Sequence, residues 1–254
     1  MEDFYKDRTC QAISHLYGLL YKITGFYKHE IYPLVVFDGK PDDLKRKITR
    51  NEAHDFKILE EWYRKALKAN DRETMKSIGF DPFFMWKTIV KESKLLLISM
   101  GVPIFTALGE AEVQCAYFTS SGYCDFTLSS DFDSLLFGCP NLIKQLSFSG
   151  REIQNGKWKT AKGTASVISL DRSLRSLNIN LIQLIDVSLL IGNDFFEGIK
   201  GIGAKTALDY VQRFGDLDSI MDFLNVPQKI RNEMNQAREL VLFPVVTEKA
   251  PELE

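Results

Sequence analysis

Four apolar segments of this chain run directly into carboxylates. Leu34-Val35-Val36-Phe37 ends in Asp38, and Pro103–Thr106 leads to Glu110 and Glu112. Asp125–Ser129 leads to Asp131 and Asp133, and Leu181–Ile191 is followed by Asp194. Between the short runs the apolar spacing is helical, as in Ile13, Leu16, Leu20 and Ile23 or Phe56, Leu59, Tyr63 and Leu67. Short strands alternating with helices predict an α/β fold with a mainly parallel central sheet flanked by helices. In such a sheet, sites form beyond the carboxyl ends of the strands, which is where these acids fall.

The spacing predicts helices over 10–26, 44–70, 83–100, 110–120, 170–177 and 181–191, a short helical turn over 134–137, and strands over 32–37, 103–106 and 125–129. Gly79–Pro82 reads as the break before the third helix. Residues 141–167 read as strands and loops with polar turns near Gly150 and Gly156. The tail from Pro244 reads as weakly structured.

A net charge of −2, from 32 basic and 34 acidic residues, excludes a globally attractive field for a polyanion and leaves nucleic-acid binding to local patches. Basic residues gather at Lys45, Arg46, Lys47 and Arg50, at Arg64, Lys65 and Lys68, and at Lys200 and Lys205. No apolar run is long enough to span a bilayer, and Met1-Glu2-Asp3 opens no secretory signal. The expectation is an intracellular protein with no membrane partner. Cys10, Cys115, Cys124 and Cys139 show no CxxC spacing and read as reduced thiols.

Asp38, Glu110, Glu112, Asp131, Asp133 and Asp194 brought to one sheet edge would repel one another unless cations neutralise them. Glu110 and Glu112 are two apart, so a shared direction requires that Glu110 sit just before the helix. Oxygen-only ligands favour Mg²⁺ or Mn²⁺ over zinc. His15, His29 and His54 show no ligand spacing and read as structural. A carboxylate-held pair of ions suits phosphoryl chemistry, one ion activating water and the other stabilising the leaving oxygen. Gly198 to Lys205, "GIKGIGAK", reads as a Gly-rich turn entering a helix that could meet a phosphate backbone. It is not a Walker loop, because GxxxxGK[ST] is absent.

Together these segments resemble the flap endonuclease / xeroderma pigmentosum G superfamily of structure-specific 5′-nucleases. The resemblance is carried by "SHLYGLLYKI" from Ser14, "VVFDGKPDDLKRK" from Val35, "ALGEAEVQCAY" from Ala107, "SSDFDSLLFG" from Ser129 and "LLIGNDFFEGIKGIGAKTAL" from Leu189. It is closest to the archaeal and eukaryotic flap endonucleases. It implies a PIN-like 5′-nuclease fold with a helical arch at about 40–100 and a helix–two-turn–helix at about 185–215. It further implies a nuclease N-terminal region over 1–140, shortened at its start, and an internal region over 141–254.

The resemblance also implies roles for single residues. Asp38, Glu110, Glu112 and Asp131 would serve one metal ion, and Asp133 and Asp194 the other. Asp38, Asp133 and Lys45 would be catalytic, with Lys45 at the base of the arch beside the scissile phosphate. DNA would be held by Lys45, Arg46 and Arg50 and by Gly198, Lys200, Gly201, Gly203 and Lys205, with a potassium ion at the helix–two-turn–helix. The family's opening strand carries a further metal-ligating Asp, and this sequence opens after it, so the six acids are the larger part of a seven-carboxylate set. The family's arch Arg falls on Glu52.

The expected activity is 5′-flap endonuclease and 5′–3′ exonuclease action on branched DNA in replication and repair. The alternatives are an exonuclease or junction-resolving nuclease of the same superfamily, or a catalytically impaired DNA-binding relative. A monomer is expected, in the nucleus of a eukaryote or the cytoplasm of an archaeon. A sliding clamp is a further partner of such enzymes. Its peptide, Gln-x-x-aliphatic-x-x-aromatic-aromatic, is not matched by "QARELVLF" from Gln236, which has Glu239 at the aliphatic position.

Overall fold

The computed structural model describes residues 13–39, 52–154 and 157–249. The chain divides into two compact units that interleave in sequence. One comprises Met1–Val35 with Arg46–Phe105, and the other Val36–Lys45 with Thr106–Glu252, among their described residues. The division at 140 read from the sequence orders the nuclease regions along the chain; the compact units cut it elsewhere.

The first unit is helical: α1 (Ser14–Lys28), α2 (Glu52–Ala69), α3 (Arg72–Gly79) and α4 (Pro82–Ser99). Tyr63, Ala66, Met75, Ile78 and Phe84 form its buried cluster, with Phe56 and Leu59 packed against them. α2 stops where the sequence reading ends its helix: Asn70 turns left-handed at φ 53°. The correction is α3, which the sequence reading left unassigned between that end and the break at Gly79–Pro82. Asp71 then starts α3, its side chain accepting the Thr74 N–H at 3.2 Å. Asp81 caps α4 in the same way through the Phe84 N–H at 2.9 Å, with Pro82 at the first helical position. The predicted arch residues Lys45, Arg46 and Arg50 lie outside the described residues. His15 makes a 2.9 Å contact from α1 to Glu92 of α4, in keeping with a structural histidine.

β1 (Val35–Phe37) and β2 (Ile104–Thr106) pair with each other. Val35 N–H donates to Pro103 O at 3.0 Å and Ala107 N–H to Phe37 O at 2.9 Å, the rising register of a parallel pair.

The second unit holds α5 (Ala111–Ser120), β3 (Thr127–Leu128), α6 (Asp133–Leu136), β4 (Asn141–Gln154), β5 (Lys157–Ser169), α7 (Leu170–Leu177), α8 (Leu181–Ile191), α9 (Ala204–Phe214), α10 (Leu217–Phe223) and α11 (Gln228–Leu242). β3 pairs with β4 in parallel, and β5 adds an antiparallel edge. β4 and β5 form one long ladder, and Gly150 lies inside it opposite Ala161 instead of in a turn, while the predicted turn at Gly156 lies outside the described residues. Ile185, Leu189, Leu190, Val211, Ile220, Met234 and Val241 make the main core, joining α8 to α11. A second cluster, with Ala116, Leu135, Leu142 and Leu170, seats α5 and α6 beside β4. Asp186, only 1% exposed, is gripped within this unit by Arg238, Nε to Oδ1 at 2.7 Å and Nη2 to Oδ2 at 3.0 Å.

Candidate metal and nucleic-acid site

The six acids all lie in the second unit, where the chain ends its strands and starts its helices. Asp38 follows β1 directly, and its Oδ1 accepts the Ala111 N–H at 2.8 Å. That amide is the first of α5, so Asp38 serves as a cap from 73 residues away. Gly39 makes the approach possible. Its N–H donates to Gly109 O at 2.7 Å, and a Cβ there would stand 1.9 Å from Ala107 O. Glu110 is the residue before α5, extended at φ −80° and ψ 141°, while Glu112 is in its first turn. The requirement for two acids spaced by two is thereby met.

Ser129 connects the helix to the next pair. Its Oγ donates to Glu112 Oε1 at 3.4 Å and accepts the Asp131 N–H at 3.0 Å. Asp131 folds its own loop, Oδ1 accepting the Phe132 N–H at 2.6 Å and the Asp133 N–H at 3.3 Å. Asp133 begins α6, and Ser134 behind it is buried. A hydrogen-bonded path thus leads from Asp38 through the start of α5 and Ser129 to Asp131 and Asp133. Asp194 is carried separately. Asn193 shapes its turn, Oδ1 accepting the Phe195 and Phe196 N–H groups at 3.0 and 3.1 Å and Nδ2 donating to Ser188 Oγ at 3.1 Å. Phe195 meets Phe137, just after α6, edge-on at 6.5 Å between ring centres.

The acids lie less deep than the apolar runs that lead to them. Asp38, Asp131 and Asp194 are exposed, and Glu110, Glu112 and Asp133 half-buried. One Glu110 oxygen, Oε1, is closed off from solvent. Among the described residues, no three acids, histidines or cysteines stand together tightly enough to hold a metal ion as they are. The donor chemistry nevertheless fits a hard divalent cation: carboxylate and hydroxyl oxygens, with no thiolate. Cys115 on α5 is kept a neutral thiol, because burial, reinforced by the Glu112 charge, pushes its pKa up to about 12. Ser129 and Gly39 are the site residues that sequence reasoning missed. A small residue directly after Asp38 was a usable sign of close backbone approach; Ser129 left no sign distinct from an ordinary turn serine.

The Gly-rich segment lies between α8 and α9. Gly198 is left-handed at φ 83°, and a Cβ on it would come within 2.3 Å of Ile191 O. This lets the chain turn back so that Ile199 N–H reaches Leu190 O at 2.9 Å. Gly203 precedes α9 in an extended conformation, and Gly201, Gly203, Lys200 and Lys205 are exposed. Ala207 and Val211 bury the other face of α9.

Residues 101–194 match the XPG I-region family model. Flap endonuclease 1 of Archaeoglobus fulgidus is 34% identical over 243 residues, covering 96% of this chain and 71% of that protein. The chain belongs to the flap endonuclease / xeroderma pigmentosum G family. The flap endonuclease-1 structure from Methanococcus jannaschii superposes with a TM-score of 0.65 at 25% identity, covering 98% of this chain and 74% of that one. The Holliday junction-resolving enzyme GEN1, solved with product DNA, Mg²⁺ and Mn²⁺, superposes at 0.59 with 18% identity over 92% of this chain and 52% of that one. The flap endonuclease-family I-region takes in five of the six acids; Asp38 and the Gly-rich turn lie outside it. The two-helix arrangement around that turn, α8 then α9, has the order that the family resemblance led one to expect.

Proposed function

We propose that this chain is a structure-specific 5′-nuclease that cleaves flapped or branched DNA by divalent-metal-dependent phosphodiester hydrolysis, leaving a 5′-phosphate and a 3′-hydroxyl. The observation that carries this reading is the path Asp38–Ala111–Glu112–Ser129–Asp131–Asp133. Carboxylates from three separate segments share one strand-end network in a chain of this family.

Asp38, Glu110, Glu112 and Asp131 would hold one Mg²⁺ or Mn²⁺ ion, and Asp133 and Asp194 a second. When bound, such ions offset phosphate charge and make water a better nucleophile. The chain's own part is to gather and hold the donors. Asp38 fixes the start of α5, and with it the two glutamates. Ser129 keeps Glu112 in step with the Asp131 loop, and Asp131 orients the first amides leading into α6. The α8–turn–α9 element would grip the uncleaved duplex through backbone amides and through Lys200 and Lys205, with a potassium ion at the turn. Lys45, Arg46 and Arg50 would guide the 5′ single strand. We read the enzyme as a monomer acting inside the cell, in the cytoplasm if it shares the archaeal setting of the A. fulgidus relative, with a sliding clamp as a further partner. The one segment weighed as a clamp peptide, from Gln236, lies in α11 as far as Leu242, with Ala237 and Val241 buried.

The test is a panel of 5′-labelled flap, nicked, gapped and four-way DNA incubated with Mg²⁺ or with EDTA. Preferential cutting at the flap base, abolished by EDTA, is expected. Preference for the four-way junction would move the reading to a resolvase, and cutting in EDTA would overturn it.

A further inference from the structure

The tail after α11 was expected to be weakly structured, and its described residues 243–249 contain neither helix nor strand, yet it is tied to α5. Gln114, 1% exposed, uses both halves of its amide on one residue of this tail. Its Nε2 donates to Thr247 O at 3.0 Å, and its Oε1 accepts the Thr247 N–H at 2.9 Å. One residue further along the tail, Glu248 O accepts the Tyr117 hydroxyl at 3.1 Å. Gln114 N–H also donates to Glu110 O at 3.3 Å, closing the turn on which Glu110 stands. On its other side α5 is tied to β3, where Thr127 Oγ1 donates to Cys115 O at 3.1 Å and lies 2.7 Å from Thr119 Oγ1.

We propose that residues 244–249 are a strap that sets the position of α5, with Gln114 the positioning residue through which it fixes Glu110 and Glu112; this rests on reading those two acids as metal ligands. A buried amide satisfied on both sides by one backbone residue has a single comfortable position. Without that partner it must find water, and α5 moves to reach it. Both glutamates then move together, because they share the first turn of the helix. Groups that orient metal ligands from behind typically change metal affinity or activity by about 10–100-fold when removed.

The strap is tested on the full chain with Thr247→Pro, which deletes the donor to Gln114 and leaves α5 unaltered in sequence. Tyr117→Phe serves as a milder second variant, which removes only the hydroxyl bond to Glu248 O and adds no charge. Mn²⁺ affinity is measured without DNA by electron paramagnetic resonance, alongside thermal unfolding and flap cleavage as a function of Mg²⁺ concentration. The expected result is about tenfold weaker Mn²⁺ binding for Thr247→Pro and a smaller loss in the same direction for Tyr117→Phe. Cleavage by both variants should be recovered at higher Mg²⁺. A lower melting temperature with wild-type Mn²⁺ affinity in the still-folded variants would show a merely structural tail and overturn the proposal. Wild-type protein that binds no Mn²⁺ would overturn the metal-site reading itself and the strap's role with it.

Discussion

Asp38 accepts the Ala111 N–H at 2.8 Å, so the acid that ends the first strand also caps the helix carrying two other acids of the proposed site. One side chain thereby has a structural and a chemical task, and the two are separable. Asp38→Asn keeps an oxygen for the amide but loses the charge. It should leave stability within about 0.5 kcal/mol and cut flap cleavage by about 100-fold or more. Asp38→Ala loses both, and should cost about 1 kcal/mol as well. Urea unfolding and single-turnover cleavage of the two variants check the separation.

Asp186 and Arg238 join α8 to α11 where the acid is almost fully buried. Burial pushes the Asp186 pKa up, and the Arg238 hydrogen bonds and charge oppose the rise without cancelling it. The folded chain therefore holds this proton at pH values where the unfolded chain has released it. The group's stabilising contribution is full below the ordinary value of 3.8 and declines as pH rises through the raised folded value. The stability of wild type relative to Asp186→Asn should fall as pH rises from below 3.8 through the raised folded value. Arg238→Met should cost about 3 kcal/mol at neutral pH, since it strands a buried charge. Urea titrations across that range measure both.

The two glycines at the ends of the α8–α9 turn differ in what they tolerate. Gly198 is left-handed and pressed against Ile191 O, whereas Gly203 has an ordinary backbone and open space where a Cβ would go. Gly198→Ala should destabilise the second unit by about 2 kcal/mol or more, and Gly203→Ala by less than about 0.5 kcal/mol. Thermal unfolding of the pair distinguishes the two positions.

Lys200 and Lys205 are exposed beside the same turn. If each neutralises one phosphate of the uncleaved duplex, the double alanine variant should weaken duplex binding. It should also make the slope of log affinity against log salt shallower by about 2. Fluorescence anisotropy at several KCl concentrations gives the slope, and an unchanged slope would remove these lysines from the interface.

Much of this was legible in the chain because the signals were local. Asp81-Pro82 starts α4, Gly101 stops it at φ 69°, and the acids mark strand ends because a charge cannot continue a buried run. What stayed hidden depended on distant partners or on residues with two readings. α3 stayed unread because its eight residues, set between two breaks, are too few for apolar spacing to stand out. Gly150 reads as a turn but sits in a ladder, since its neighbours' alternation is masked by polar residues. Gln114 is buried only because Thr247, 133 residues on, satisfies its amide, and nothing near Gln114 encodes that. The acids themselves are more exposed than their apolar neighbours suggested, because each lies just past the end of its strand or at the first turn of its helix.

The most direct test of the central claim is single-turnover cleavage of a 5′-flap substrate in Mg²⁺ by the wild-type chain and by Asp133→Ala. The account predicts cutting near the flap base by wild type and a loss of about 100-fold or more in the variant, with flap binding in EDTA unchanged. Cleavage by Asp133→Ala at the wild-type rate would contradict it.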